Sequence, residues 1–165
     1  GGALTIQIII IFLLIINSYL AYTVNYTKAF SVKNEIISII EKNEGFTGPA
    51  DGNCVDQNKA TCQIRSYLNQ VNYNAEAYTA RGCSPEANAQ VGGYCIRVHK
   101  VGYDGSIVNN SETQYKGTYY TVSTFVNIDI PILNKLFQNL MPTVFRIDGQ
   151  TKLIYSSGTD TELNG

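Results

Sequence analysis

The first 27 residues carry no charged side chain, and the stretch from Leu4 to Ile16 is close to an unbroken apolar run. Its centre reads Ile8, Ile9, Ile10, Ile11, Phe12, Leu13, Leu14, Ile15 and Ile16, with Leu4 and Ile6 ahead of it. After a short polar break at Asn17-Ser18, the run from Tyr19 to Val24, which includes Tyr22, extends it. At about 1.5–3 kcal/mol for each large apolar side chain, holding this segment in water would cost roughly 15–30 kcal/mol. The segment therefore has to lie in lipid or against other protein, and this requirement dominates every reading of the chain.

Residues 3 to 24, at about 1.5 Å per residue, make a helix of roughly 33 Å, enough to cross a hydrocarbon core of about 30 Å. A cleavable secretory signal opens on a basic stretch and closes on a small-residue site. Here no Lys or Arg precedes Lys28, and there is no initiating Met. Gly1 thus reads as the start of a processed chain, with the apolar helix retained.

From Lys28 the pattern turns amphipathic. Ala29, Val32, Ile36 and Ile40 recur at helical steps, widened by Phe30, Ile37 and Ile39, while Lys33, Asn34, Glu35, Glu41 and Lys42 take the remaining surface. The first strong stop is Glu44-Gly45, followed by Gly48-Pro49. One helix of about 60 Å is expected from near Leu4 to Glu44. Residues 1–27 form its apolar membrane or filament-core part, residues 28–45 the amphipathic continuation, and residues 46–165 a globular head.

The head holds all four cysteines, Cys54, Cys62, Cys83 and Cys95. They lack the paired spacing of a zinc site, and His99, the only histidine, has no second ligand beside it. Two disulfides and an oxidising compartment follow. Three connectivities are open; the local pairing Cys54–Cys62 and Cys83–Cys95 is the one expected, each closing a short loop worth about 2–3 kcal/mol.

Asn58 to Val71 reads as a short helix with Ile64, Leu68 and Val71 on one face and Asp56 or Asn58 near its N-cap. Ala77 to Arg81 reads as a brief strand. Gly93 to Tyr103 is a strand with Tyr94, Ile96 and Val98 on one side and Arg97 and His99 on the other. Asp104-Gly105 is a hairpin turn, and Asn109-Asn110-Ser111 a loop. In Gly117 to Ile130, Val122, Thr124, Val126, Ile128 and Ile130 alternate with Thr121, Ser123, Asn127 and Asp129. Pro131 ends that strand, and Ile132 to Leu140 forms a helical turn or two. Thr143 to Ile147 and Lys152 to Ser156 are strands around a turn at Asp148-Gly149, and a loose tail begins at Ser157. The class is α+β: a long hydrophobic helix packed against a small, mainly antiparallel head. Val32, Ile36 and Ile40 are expected to bury against Val122, Val126 and Ile128, because a 3.6-residue stripe and a 2-residue alternation each need a partner surface.

An apolar helix at the extreme N-terminus behind Gly1, its amphipathic continuation and a β-rich head together resemble the type IV pilin superfamily. The run Tyr119-Tyr120-Thr121-Val122, Asn127-Ile128-Asp129-Ile130-Pro131-Ile132-Leu133, Leu136-Phe137 and Ile147-Asp148-Gly149-Gln150-Thr151 resembles the TadE-like pilins of tight-adherence systems, and the opening Gly-Gly-Ala-Leu-Thr-Ile-Gln resembles their processing region. The resemblance implies a structural subunit of an extracellular filament, drawn from a membrane pool and handled by pilus assembly machinery, with a role in adhesion. Many pilins carry a glutamate at the fifth mature position; this chain has Thr5 there. A buried N-terminal amine would then be met by Thr5, Gln7 or free carbonyls, or be modified.

Other patterns read blandly. Tyr19, Tyr22 and Tyr26 share a helix face and suit a lipid boundary or a subunit contact. His99 reads as a solvated residue. Asp51, Asn53 and Asp56 lack the spacing of a calcium loop. Asn25-Tyr26-Thr27 and Asn109-Asn110-Ser111 match the glycosylation pattern, of which only Asn109 is a plausible acceptor. No nucleophile–base pair or phosphate loop is present, so neither an enzyme nor a cofactor is expected. With 12 basic and 13 acidic residues the net charge is −1, which gives no pull toward nucleic acid. The expected partners are further copies of the chain and membrane lipid, and the expected location is the cell surface after passage through a membrane. The rival expectation is a monomeric, single-span ectodomain acting as a binding module. A plain anchor needs only about 20 apolar residues, whereas this helix carries its stripe on into the head.

Overall fold

The computed structural model describes residues 1–49, 53–73, 83, 88–90, 93–108, 114–127 and 144–155. Helix α1 (Gly2–Lys42) is continuous over 41 residues, about 60 Å. It meets no proline and, after Gly2, no glycine, so nothing interrupts its hydrogen-bond ladder. It closes in a Schellman motif: the Gly45 amide donates to the Ile40 carbonyl at 2.9 Å and the Glu44 amide to that of Glu41 at 3.3 Å. Glu44 takes the left-handed position with φ 54°, so the helix stops two residues before the expected end.

Helix α2 (Ala60–Gln70) packs on α1. Asp56 and Asn58 stand just ahead of its N-cap, near where the sequence suggested, but neither side chain supplies the cap. Lys59 is the N-cap and offers no side-chain bond, and Asp56 instead accepts the Asn58 amide. The cap arrives from the loop behind α1: the Ala60 amide donates to Thr47 Oγ1 at 3.1 Å, and that of Thr61 to the Thr47 carbonyl at 2.9 Å. A second Schellman motif ends α2, with Asn72 at φ 53° and the Tyr73 amide on the Leu68 carbonyl at 2.9 Å.

Among the described residues, six strands form one antiparallel sheet: β1 (Asn88–Gln90), β2 (Tyr94–Val101), β3 (Ile107–Val108), β4 (Gly117–Asn127), β5 (Val144–Gln150) and β6 (Ile154–Tyr155). The order is β1-β2-β4-β5; β3 shares the β1 side of β2, and β6 shares the β5 side of β4. The turn between β2 and β3 uses Asp104-Gly105, with Gly105 at φ 83° and Asp104 Oδ1 accepting the Ser106 amide.

One expectation at the far edge fails. Asp148-Gly149 is not a turn: β5 runs straight through it, with Ser123 opposite Asp148 and Val122 opposite Gly149. Gly149 serves close approach instead. A Cβ there would stand 2.8 Å from Lys33 Cδ and 3.0 Å from Ile37 Cδ1 of α1. The break falls at Thr151, whose amide donates to the Tyr120 carbonyl and whose Oγ1 accepts the Tyr120 amide, so that one buried side chain carries the ladder from β5 to β6.

The amphipathic half of α1 lies across this sheet. Val32, Ile36 and Ile40 are buried with Ile64 and Leu68 of α2 and with Tyr94, Ile96 and Val122 of the sheet. Nearer the apolar end, Ala29 packs with Val126, Ile147 and Phe145. Val122, Thr124 and Val126 face the helix, as their alternation required. The opposite face is more closed than the pattern suggested, since Ser123 and Phe125 are buried too. Ile128, the sixth residue of the expected seam, lies outside the described residues, as do the expected strand at Ala77–Arg81, the loop at Asn109–Ser111, the turn helix at Ile132–Leu140 and the tail from Ser157.

Candidate assembly and membrane helix

Ahead of Tyr22, the apolar half of α1 buries no residue against the rest of the chain among the described residues. Leu4, Ile6, Ile8, Ile9, Ile10, Ile11, Phe12, Leu13 and Ile15 each expose half or more of their surface, and Ile16, Tyr19 and Tyr22 are exposed as well. Leu14 is partly covered. The most apolar stretch of the helix is wholly outside the folded head, and the helix is long and apolar enough to cross a membrane. A helix of this kind anchors a chain in a membrane or serves as a signal sequence, and the disulfides of the head belong to an oxidising, extracytoplasmic setting.

Local chemistry fits an apolar surrounding. The serine and threonine hydroxyls within this half bond back to their own helix: Thr5 to the Gly1 carbonyl at 3.3 Å, Ser18 to Leu14 at 2.7 Å, Thr23 to Tyr19 at 2.9 Å and Thr27 to Thr23 at 2.8 Å. Each of these four donors is satisfied without water, which hydrocarbon demands.

An aromatic column marks where helix meets head. Tyr22, Tyr26 and Phe30 stack at successive turns, with ring centroids 5.8 and 6.3 Å apart. Lys33 Nζ sits 4.0 Å over the Phe30 ring, and Phe145 of β5 meets Tyr22 edge-on at 6.3 Å. Lys28, the first charged side chain, donates to the Asn72 carbonyl at 3.0 Å. The head therefore grips α1 from Tyr22 onward, with no linker between the apolar segment and the fold.

Two disulfides pin the head, Cys54 to Cys62 and Cys83 to Cys95. The first ties the segment ahead of α2 to that helix, and the second ties Cys83 to β2. Tyr73 adds a polar stitch: its hydroxyl donates to the Gly93 carbonyl at 2.9 Å and accepts the Phe125 amide at 3.0 Å. Continuing the β2–β4 register past Cys95 opposite Ser123 would pair Gly93 with Phe125. The phenol takes the place of that ladder bond, and burial pushes its pKa from 10.0 up to about 12.

A polar concavity of about 190 Å³ lies on the sheet face away from α1, lined by Arg97, His99, Thr121, Ser123, Arg146 and Asp148 beside Cys95. Sequence reading missed it, since its residues come from three strands; only the alternation in β2 and β4 pointed to a polar face. Ser123 Oγ donates to Asp148, whose carboxylate also holds Arg146 Nε at 3.1 Å. His99 is not the solvated residue expected. It is half-buried, stacks on Tyr119 at 4.6 Å and pairs with Thr121 Oγ1 at 3.0 Å. Among the described residues, no cluster of His, Cys, Asp and Glu gathers as metal ligands would.

Comparison with protein-family models, curated proteins and solved structures finds no match to this chain.

Proposed function

We propose that the chain is a non-enzymatic structural subunit of an extracellular, type IV pilus-like filament, held in a membrane through α1 before assembly and packed through the same helix afterwards. The observation that carries this reading is the division of one uninterrupted helix into a half that, ahead of Tyr22, buries nothing against the described head and a half locked into it. A helix that is apolar all round needs an apolar environment on every side. Lipid supplies it to a single molecule, and a bundle of identical helices supplies it in a polymer. The rigid joint favours a polymer, because a helical array requires each head at one fixed orientation to its core helix.

In this reading Leu4 to Tyr22 build the filament core, the head forms the outer surface, and sheet edges and loops make lateral and adhesive contacts. Removing residues 1–27 tests it. The remaining head should be soluble and monomeric by light scattering, and cells producing it should make no filaments. Polymerisation of the shortened chain into the same filaments would remove α1 as the assembly element.

A further inference from the structure

We infer that, before assembly, the end of the head that carries Phe145 rests in the headgroup layer of the phospholipid bilayer, so that the sheet is seated on the membrane rather than held above it. This inference rests on the reading of α1 as a membrane-resident helix.

The depth of the helix is set from its charged side. Lys28 cannot enter hydrocarbon at low cost, and its amine is engaged at the Asn72 carbonyl of the head. Tyr22 lies six residues nearer the apolar end, about 9 Å along the axis. The polar layer on each side of a hydrocarbon core is only about 5–8 Å thick. With Lys28 at the outer limit of that layer, Tyr22 falls just past its inner limit, and Tyr26 lies within the layer.

The chemistry of the column suits that depth. Tyr22 and Tyr26 are 37% and 39% exposed, each with an apolar ring and a polar hydroxyl, which is the amphipathic form enriched at membrane interfaces. Phe145 then reports the position of the head itself. It meets Tyr22 edge-on at 6.3 Å, so β5 begins at the level of the inner limit. A head standing off the membrane would first contact the helix beyond Lys28. This one reaches past Lys28 toward the hydrocarbon by almost two helical turns. The occupant of the exposed flank of the column is accordingly the phospholipid headgroup layer. In contrast, the β2–β3 turn at Tyr103 lies at the opposite end of the sheet, beyond the point where β4 has passed Ile36 and Ile40.

The chain contains no tryptophan, so one introduced tryptophan is a unique fluorescent reporter. The experiment places the full chain in phosphatidylcholine–phosphatidylglycerol vesicles, with and without phospholipid brominated high in its acyl chains, and reads quenching for Phe145→Trp, Tyr103→Trp and Ile10→Trp. Quenching of Phe145→Trp and Ile10→Trp with Tyr103→Trp unchanged is the expected result. If Ile10→Trp is quenched while Phe145→Trp matches the unquenched Tyr103→Trp, the head stands clear of the bilayer and the inference fails, with the membrane reading intact. An unquenched Ile10→Trp overturns the membrane reading and the inference together. Should circular dichroism show that Phe145→Trp does not fold, Val144→Trp at the neighbouring position reports the same depth under the same criteria.

Discussion

Thr124 Oγ1 donates a 2.9 Å hydrogen bond to the Ala29 carbonyl, joining β4 to α1 about two turns inside the first contact of helix and head at Tyr22. Thr124 is fully buried and Ala29 nearly so. Ala29 lies in the interior of α1, where its carbonyl has an intrahelical partner as well, so the hydroxyl uses the second lone pair of that oxygen. Replacing Thr124 by valine keeps the volume and removes the bond without orphaning the carbonyl. We expect a loss of about 1 kcal/mol in denaturant unfolding of the full chain in mild detergent.

The seam as a whole is tested by a pair of charges. Ile36 is completely buried between helix and sheet, whereas Asn34 is exposed on the outer flank. Ile36→Asp places an unpaired carboxylate in an apolar core and should cost well over the ~1 kcal/mol of an ordinary substitution. Asn34→Asp should be nearly neutral. Thermal unfolding followed by circular dichroism compares them, and equal melting temperatures would mean that the stripe does not dock.

Gly149→Val probes the closest approach of helix and sheet. Its side chain would enter the space held by Lys33 and Ile37, and the overpacking should destabilise the head by about 1–3 kcal/mol. Were Asp148-Gly149 a turn, valine would instead disturb only a surface loop; mutant stability decides between the two.

Much of this was legible in the residues because it rests on periodicity. The stripe Val32, Ile36, Ile40 and the alternation Val122, Thr124, Val126 each repeat, and a repeated pattern names the face that must be buried. What escaped depends on single contacts between distant segments. Thr47 caps α2 from 13 residues away, Thr151 replaces a backbone pair, and Tyr73 substitutes for the ladder bond between Gly93 and Phe125; a lone hydroxyl announces none of these roles locally. Gly149 misled because glycine next to aspartate is also the signature of a turn. The polar concavity escaped for a similar reason: Arg97, Ser123 and Asp148 become neighbours only once β2, β4 and β5 are in register.

The Tyr73 phenol makes stability sensitive to alkaline pH. Its folded pKa is raised to about 12 from 10.0, chiefly by burial. Burial raises the pKa of Tyr94 and Tyr120 as well. A raised pKa means that the unfolded chain releases these protons first. The stabilisation is complete below pH 10 and is lost as pH climbs through the folded values. For Tyr73 the span between the two pKa values is worth about 2–3 kcal/mol. Urea midpoints should be level from pH 7 to pH 9 and fall steeply above pH 10. Tyr73→Phe should be less stable at pH 7 by about 1–3 kcal/mol, having stranded the Phe125 amide and the Gly93 carbonyl, and should show a shallower alkaline decline.

The account turns on α1 as the element that assembles the polymer, and direct imaging addresses that claim. Electron cryomicroscopy of material sheared from cells producing the full chain should show filaments whose reconstruction places Leu4 to Tyr22 at the axis, helix against helix, with the disulfide-bonded heads outside. Filaments in which that segment lies apart from its copies, or a chain found only as single molecules in the membrane fraction, would contradict it.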